Sequence, residues 1–323
     1  MMTSAESPLQ PVLDQQGVVV LDGGLATELE RGGAVLDSAL WSAKLLLDDA
    51  DALTTVHGSF LEAGADCLAT ATYQASFEGF ERMGLSRQEA KRTMLESVLL
   101  AARAVDDFWS AAENREARMR PLVAASLGPY GAFLADGSEY HGRYGVARGV
   151  LHGFHRDRLA VMATSVADLI ALETIPSLPE AEVLLDILSD IPGVWSWLSF
   201  SCRDGTRLSD GSPIREAAAA CAAAERIAAV GVNCTAPRYV DELISEIRAV
   251  TDLPIAVYPN SGEVYDAAAK TWSDGRDESA NWGEAAAGWV EAGARLVGGC
   301  CRVSASDISA VRGHVVSPGS AET

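Results

Sequence analysis

The chain contains six cysteines, Cys67, Cys202, Cys221, Cys234, Cys300 and Cys301. Two of them are adjacent and follow a glycine pair in Gly298-Gly299-Cys300-Cys301, and Cys234 closes the run IAAVGVNC. Three thiolates with one open tetrahedral position make the pattern of a catalytic zinc site. A redox thiol pair at Cys300 and Cys301 is the competing chemistry, and inert packing is the ordinary fate of a buried cysteine. Cys67 and Cys221 read as packing, and Cys202 is left out of the metal set. An incoming thiol suits the open position, because zinc holds a bound thiol as thiolate at neutral pH. Asp22 and Glu173 could grip a substrate ammonium group, and the N–H groups of Gly23 and Gly24 its carboxylate.

These residues need a frame that brings them together. Eight short apolar runs alternate with helical patterns: 18–24, 66–73, 122–129, 168–174, 195–202, 227–234, 254–260 and 294–301. Near-continuous apolar runs suit parallel strands buried on both faces. Helices are expected from Gln88 to Phe108, from Thr235 to Val250 with Thr235 as cap, and from Asn281 to Ala292 with Gly293 as stop. Repeated strand–helix alternation predicts a single-domain (β/α)8 barrel over residues 16–313, with a loose lead-in at 1–15 and a tail at 314–323. A doubly wound sheet is the alternative, but no G-x-G-x-x-G follows the first strand.

The polar residues Asp22-Gly23-Gly24, Thr72-Tyr73-Gln74, Glu173-Thr174, Asn233-Cys234 and Tyr258-Pro259-Asn260 end their strands. In a barrel all lie on the rim that carries chemistry. The sixth and eighth strand ends are about 10 Å apart, a gap that two cysteine side chains and a zinc ion can close. Adjacent residues on a regular strand point oppositely, so the chain must leave strand geometry at or after Gly298 and Gly299 for Cys300 and Cys301 to meet. The Gly- and Tyr-rich stretch GPYGAFLADGSEYHGRYG is expected to cover the active face. His152 and His155 are read as structural.

With 25 basic and 45 acidic residues among 323, a net charge of −20 disfavours nucleic acid and anionic membranes as partners. No apolar run approaches a membrane span, and residues 1–17 lack the features of a secretory signal. Reduced cysteines in a cytosolic protein are therefore expected. The H-E-x-x-H and P-C-x-x-C signatures of zinc hydrolases and deaminases are absent.

The segments LDGGLATELE, TATYQASFEGF, ETIPSLPEAE, GVNC, YPNSGEVYD and GGCC occur in order between residues 21 and 301. Together they resemble the homocysteine S-methyltransferase family, most closely its S-methylmethionine-dependent branch. The resemblance implies a barrel in which Cys234, Cys300 and Cys301 bind Zn2+, with homocysteine sulfur as the fourth ligand. It implies that Asp22 and Glu173 hold the homocysteine amino group, and it assigns Gly23, Gly24, Thr72 and Asn233 to that substrate. The methyl group would come from S-methylmethionine or S-adenosylmethionine, held near Trp41, Tyr73 and Gln74. No catalytic side chain is implied beyond the activated substrate thiolate. Betaine-using relatives hold their donor in an aromatic cage, and this chain has Gln74 and Ile175 where two cage tyrosines would stand. A seleno-acceptor, a betaine-using enzyme and a non-catalytic zinc- or thiol-binding barrel are the alternatives. The chain has no room for the cobalamin and folate modules of large methionine synthases.

Overall fold

Strands packed on both faces must be apolar on both, and the eight runs meet that need. In the computed structural model, which describes residues 6–34, 49–116, 118–262, 265–266, 271–272 and 281–316, they form one eight-stranded sheet with parallel neighbours. The strands are β1 (Val19–Val20), β2 (Cys67–Ala69), β3 (Leu122–Leu127), β4 (Leu169–Ile175), β5 (Ser196–Phe200), β6 (Ile227–Asn233), β7 (Ile255–Tyr258) and β8 (Ala294–Val297). Their spatial order follows the chain from β2 to β8 and then reaches β1. A parallel bridge between Leu21 and Cys67 joins β1 to β2 and closes a (β/α)8 barrel. A small antiparallel ribbon pairs Tyr265–Asp266 with Thr271–Trp272 outside it.

The helices are α1 (Gln10–Gln16), α2 (Leu25–Arg31), α3 (Ala50–Ala63), α4 (Phe77–Arg82), α5 (Arg87–Ser110), α6 (Tyr130–Leu134), α7 (Arg148–Met162), α8 (Leu178–Ser189), α9 (Ile214–Ala222), α10 (Val240–Arg248), α11 (Trp282–Ala292) and α12 (Ala305–Val315). Local chemistry sets their ends. Ser86 and Glu89 form a capping box on α5, Asn281 caps α11, and Gly293 closes it in a positive-φ conformation. Among the described residues, no helix is long and apolar enough to cross a membrane.

Strand alternation divides the core into two shells. Val18, Val20, Ile170, Leu172, Val230, Val232, Ile255 and Val257 face the helices. Val19, Leu21, Leu169, Ala171, Ala229, Ala256 and Leu296 fill the barrel interior. Continued along β3 to β7, the inward phase reaches Ser126, Glu173, Ser199, Asn233 and Tyr258 at the C-terminal ends, so the same alternation that packs the barrel aims polar groups into its mouth. Gly231 has a close-approach requirement. A Cβ there would lie 1.8 Å from the Ala256 carbonyl oxygen.

Three expectations change. The lead-in is partly built into the fold, because Leu9 just before α1 and Val12 on it are buried with the inner shell. Thr235 does not cap the following helix. Its hydroxyl donates to the Asn233 carbonyl at 2.9 Å and accepts from the Cys202 N–H at 2.9 Å, while a 3-10 turn at Pro237–Tyr239 precedes α10. The excursion after β3 is more helical than a loop, containing α6 and a 3-10 turn at Ser138–Tyr140. Trp41 and most of 263–280 lie outside the described residues.

His57 on α3 is buried, and desolvation pushes its imidazole down to about 4. The unfolded chain therefore takes up this proton near pH 6.5 and the folded chain only near 4, so the associated stability is complete above 6.5 and is lost as pH falls toward 4. At about 1.4 kcal/mol per pH unit, some ~2 kcal/mol disappears between pH 6.5 and about pH 5. His57→Gln should lose ~2 kcal/mol less than wild type over that interval in urea unfolding. An unchanged pH slope would assign the loss to other groups.

Candidate active site

The cysteine triad is assembled by a turn. After Val297 the chain leaves strand geometry, as the two adjacent cysteines require. Neither Gly298 nor Gly299 has a positive φ, so space, not conformational freedom, demands glycine here. A Cβ on Gly298 would meet Leu21 Cβ at 2.7 Å, and one on Gly299 would meet Val303 Cγ1 at 2.1 Å. The turn hangs between neighbouring strands: Gly298 N–H donates to Val257 O, Gly299 N–H to Asp22 O, and Cys300 N–H to Pro259 O, at 3.1, 3.0 and 2.9 Å. Cys234, just past β6, has φ 47°, and Arg302, just past the pair, has φ 69°. For such residues the left-handed region costs roughly 1 kcal/mol or more, and the packing around the triad imposes it.

The three Sγ atoms lie within 4.8 Å of one another. Cys234 Sγ is 2.7 Å from Cys300 Sγ and 3.6 Å from Cys301 Sγ, and all three are free thiols. Sulfurs sharing a tetrahedral zinc at about 2.3 Å stand about 3.8 Å apart, which the second spacing matches and the first undershoots. Hydrogen bonds with Cys300 and Cys301, then burial, push the Cys234 thiol well above its ordinary range. Hydrogen bonds from Cys234 and Cys300 pull Cys301 well below. A soft, preassembled set of this kind fits zinc. Cys202 stands apart, its Sγ 3.9 Å from the Phe200 carbonyl oxygen and its thiol pushed up by burial.

Two buried carboxylates adjoin the triad. Asp22 accepts from the Ala69 N–H at 2.8 Å. Glu173 accepts from Ser126 Oγ and from Tyr258. Burial raises both, Glu173 to about 7, with the charge of Glu173 adding to Asp22 and that of Cys300 to each. Such a pair becomes fully ionised when a cation settles between its members. Behind Glu173, Thr174 has φ 61°, an outlier for a β-branched residue, where β4 shifts register against β5. Asn233 holds that kink. Its Oδ1 accepts from Thr174 N–H at 2.7 Å and Ser199 Oγ at 2.9 Å, and its Nδ2 donates to Thr174 Oγ1 at 2.8 Å. Nδ2 also approaches Cys300 Sγ at 3.8 Å, so one side chain ties the acid-bearing strand to the thiols.

All of this borders one cavity of about 350 Å3, whose wall includes Asp22, Gly23, Gly24, Tyr73, Gln74, Glu173, Asn233, Cys234, Cys300 and Cys301. Two expected substrate contacts are withdrawn by the geometry. Gly24 N–H donates to Val303 O at 2.8 Å, so it is committed within the fold. Thr72 is buried behind the wall, its hydroxyl donating to Ser126 O at 2.6 Å and paired with Thr70, which does border the cavity. Ile175 is buried in the outer shell. His155 is a buried partner of Glu180 at 2.8 Å on α7, which also carries His152. Sequence reasoning overlooked Ser126, Ser199, Trp197, Glu139 and Tyr140. The first three were reachable by extending the inward phase of β3 and β5, whereas the last two depend on the path of the excursion after β3.

A family model described as homocysteine S-methyltransferase matches residues 19–315. The chain is 47% identical to homocysteine S-methyltransferase YbgG of Bacillus subtilis, over 94% of this chain and 96% of that one. It is 44% identical to a selenocysteine Se-methyltransferase of Brassica oleracea var. italica, over 93% and 90%. The structure superposes on the metallated form of the homocysteine methyltransferase MmuM from Escherichia coli with a TM-score of 0.85 at 39% identity, covering 95% of this chain and 99% of that one. Barrel, thiol cluster and whole-length similarity agree, and the chain belongs to the homocysteine S-methyltransferase family of enzymes.

Proposed function

We propose that this enzyme transfers a methyl group from a sulfonium donor to the thiol of L-homocysteine, with Cys234, Cys300 and Cys301 as ligands of a zinc ion. The observation that carries the reading is the convergence of three sulfurs and two buried carboxylates on one cavity. Bound by these thiolates, zinc supplies the Lewis acidity that keeps a substrate sulfur deprotonated at neutral pH. Asp22 and Glu173 take the ammonium group, whose charge ionises both acids and fixes the substrate's orientation. Ser126 and Tyr258 hold Glu173 in place, and the Gly23 backbone borders the carboxylate end.

Transfer is an in-line displacement. The substrate thiolate forms a bond to the methyl carbon as the carbon–sulfonium bond breaks, and its electron pair goes to the departing sulfur. The leaving group departs as a neutral thioether, so no side chain has to deliver a proton. The chain's part is positioning, by which two reactants are held at near-attack distance. Tyr73 and Gln74 border the donor side, and Gln74 Nε2 reaches Ala132 O at 3.5 Å. A selenol acceptor would meet the same groups. The free thiols suit a reducing, cytosolic setting.

Cys234→Ala should retain the far-UV spectrum and a cooperative melt while losing most bound zinc and at least about 1000-fold in turnover. Retained metal with full activity would remove the ligand assignment. In a donor panel on protein of measured zinc content, S-methylmethionine should outperform betaine, because Gln74 borders the cavity where a cage for a trimethylammonium group would need an aromatic ring. Faster turnover with betaine would reverse the donor assignment.

A further inference from the structure

Besides Asp22 and Glu173 the cavity wall holds two further acids, Glu30, which is exposed to solvent, and Glu139, which the acceptor does not need. Glu139 lies on the 3-10 turn Ser138–Tyr140 and borders the same space as the thiols. Its Oε2 is buried and has no hydrogen-bond partner. No ion pair involves it among the described residues, and the charge that acts on it is that of another acid, Asp136. A buried carboxylate oxygen without a partner is costly, and a cationic ligand would relieve it.

Its backbone is held firmly. Ser201 Oγ donates to the Glu139 carbonyl at 3.3 Å, and Gly131 passes so close that a Cβ there would lie 2.4 Å from Glu139 N. The excursion carrying it is pinned by Glu180, which accepts from Tyr130 N–H at 2.7 Å, Tyr144 OH at 2.8 Å and His155 Nε2 at 2.8 Å. Arg158 adds a bond to Gly128 O at 2.8 Å. The acid is therefore part of a preformed wall and needs little ordering when a ligand arrives.

The acids are distributed about the sulfurs. They enter the cavity from different elements: Asp22 follows β1 and Glu173 lies on β4, whereas Glu139 comes from the excursion after β3, next to Tyr140 in the chain. Two amino-acid substrates bring two ammonium groups, and one pair of acids serves the acceptor. We propose that Glu139 binds the α-ammonium group of an amino-acid sulfonium donor. The proposal rests on the methyl-transfer reading above and names the donor-side anchor within it.

The carboxylate suits the ammonium better than the sulfonium centre. Sulfonium charge disappears as the carbon–sulfur bond breaks, so an anion against that sulfur would favour the ground state over the transition state. The ammonium keeps its charge throughout, so an anion there lowers KM and leaves kcat alone.

The test is steady-state kinetics on the zinc-loaded enzyme with homocysteine and S-methylmethionine, comparing wild type, Glu139→Gln and Glu139→Asp, each checked by thermal melting. Glu139→Gln should raise the donor KM about tenfold or more, with kcat and homocysteine KM changed less than about twofold. Glu139→Asp, which keeps the charge, should recover part of the loss. A dimethylsulfonium carboxylic acid lacking the amino group should show the same KM, or the same inhibition constant against the full donor, in wild type and Glu139→Gln. An unchanged donor KM, a loss confined to kcat, or an equal loss with the deaminated compound would each overturn the assignment. If wild type used no sulfonium donor, the methyl-transfer reading itself would fall, a result distinct from these.

Discussion

Three thiols sharing one buried spot repel one another as thiolates, and only a cation among them lets all three ionise. That repulsion has to be contained by the surrounding fold, because each sulfur would otherwise relax outward. Containment comes from β6 and β8 flanking β7, from the left-handed backbone at Cys234 and Arg302, and from a turn hydrogen-bonded to β7 and to the chain just after β1 and β7. Glycine at 298 and 299 lets that turn press against Leu21 and Val303. The fold itself thus holds the three sulfurs together.

The carboxylates obey the same logic with the opposite outcome. Burial pushes Asp22 and Glu173 toward their neutral forms, and their proximity to each other and to Cys300 adds to it. Buried acids of this kind are the sort of group that an arriving cation would ionise. Asn233 couples the two halves of the chemistry, holding the strained Thr174 beside Glu173 while its amide faces Cys300. Strain at Thr174 and Cys234 is stored where the functional groups must deviate from strand geometry.

Much of this arrangement was legible in the chain. The eight apolar runs mark the eight barrel strands, and the departure from strand geometry at Gly298-Gly299 follows from two adjacent cysteines having to face one point. What was not legible depends on partners distant in sequence. Thr72 ends a strand like a ligand contact, but the Ser126 carbonyl, 54 residues away, captures its hydroxyl. Gly24 N–H is taken by Val303, and Thr235 bonds to Cys202 instead of capping a helix. Glu139 carries no pattern of its own, since its place in the wall depends on how Glu180 and Arg158 anchor the excursion after β3.

The amino-acid sequence alone determined the barrel class, the rim on which polar groups collect, and the types of donor available there. These follow from periodicity and local chemistry, which act over a few residues. Only the tertiary structure decided which hydroxyls and N–H groups remain open to a ligand, which acids share a field, and which glycines are required by space. A hydrogen bond or a desolvation cost is set by atoms that pack from other strands, and their distances exist only once the barrel has closed.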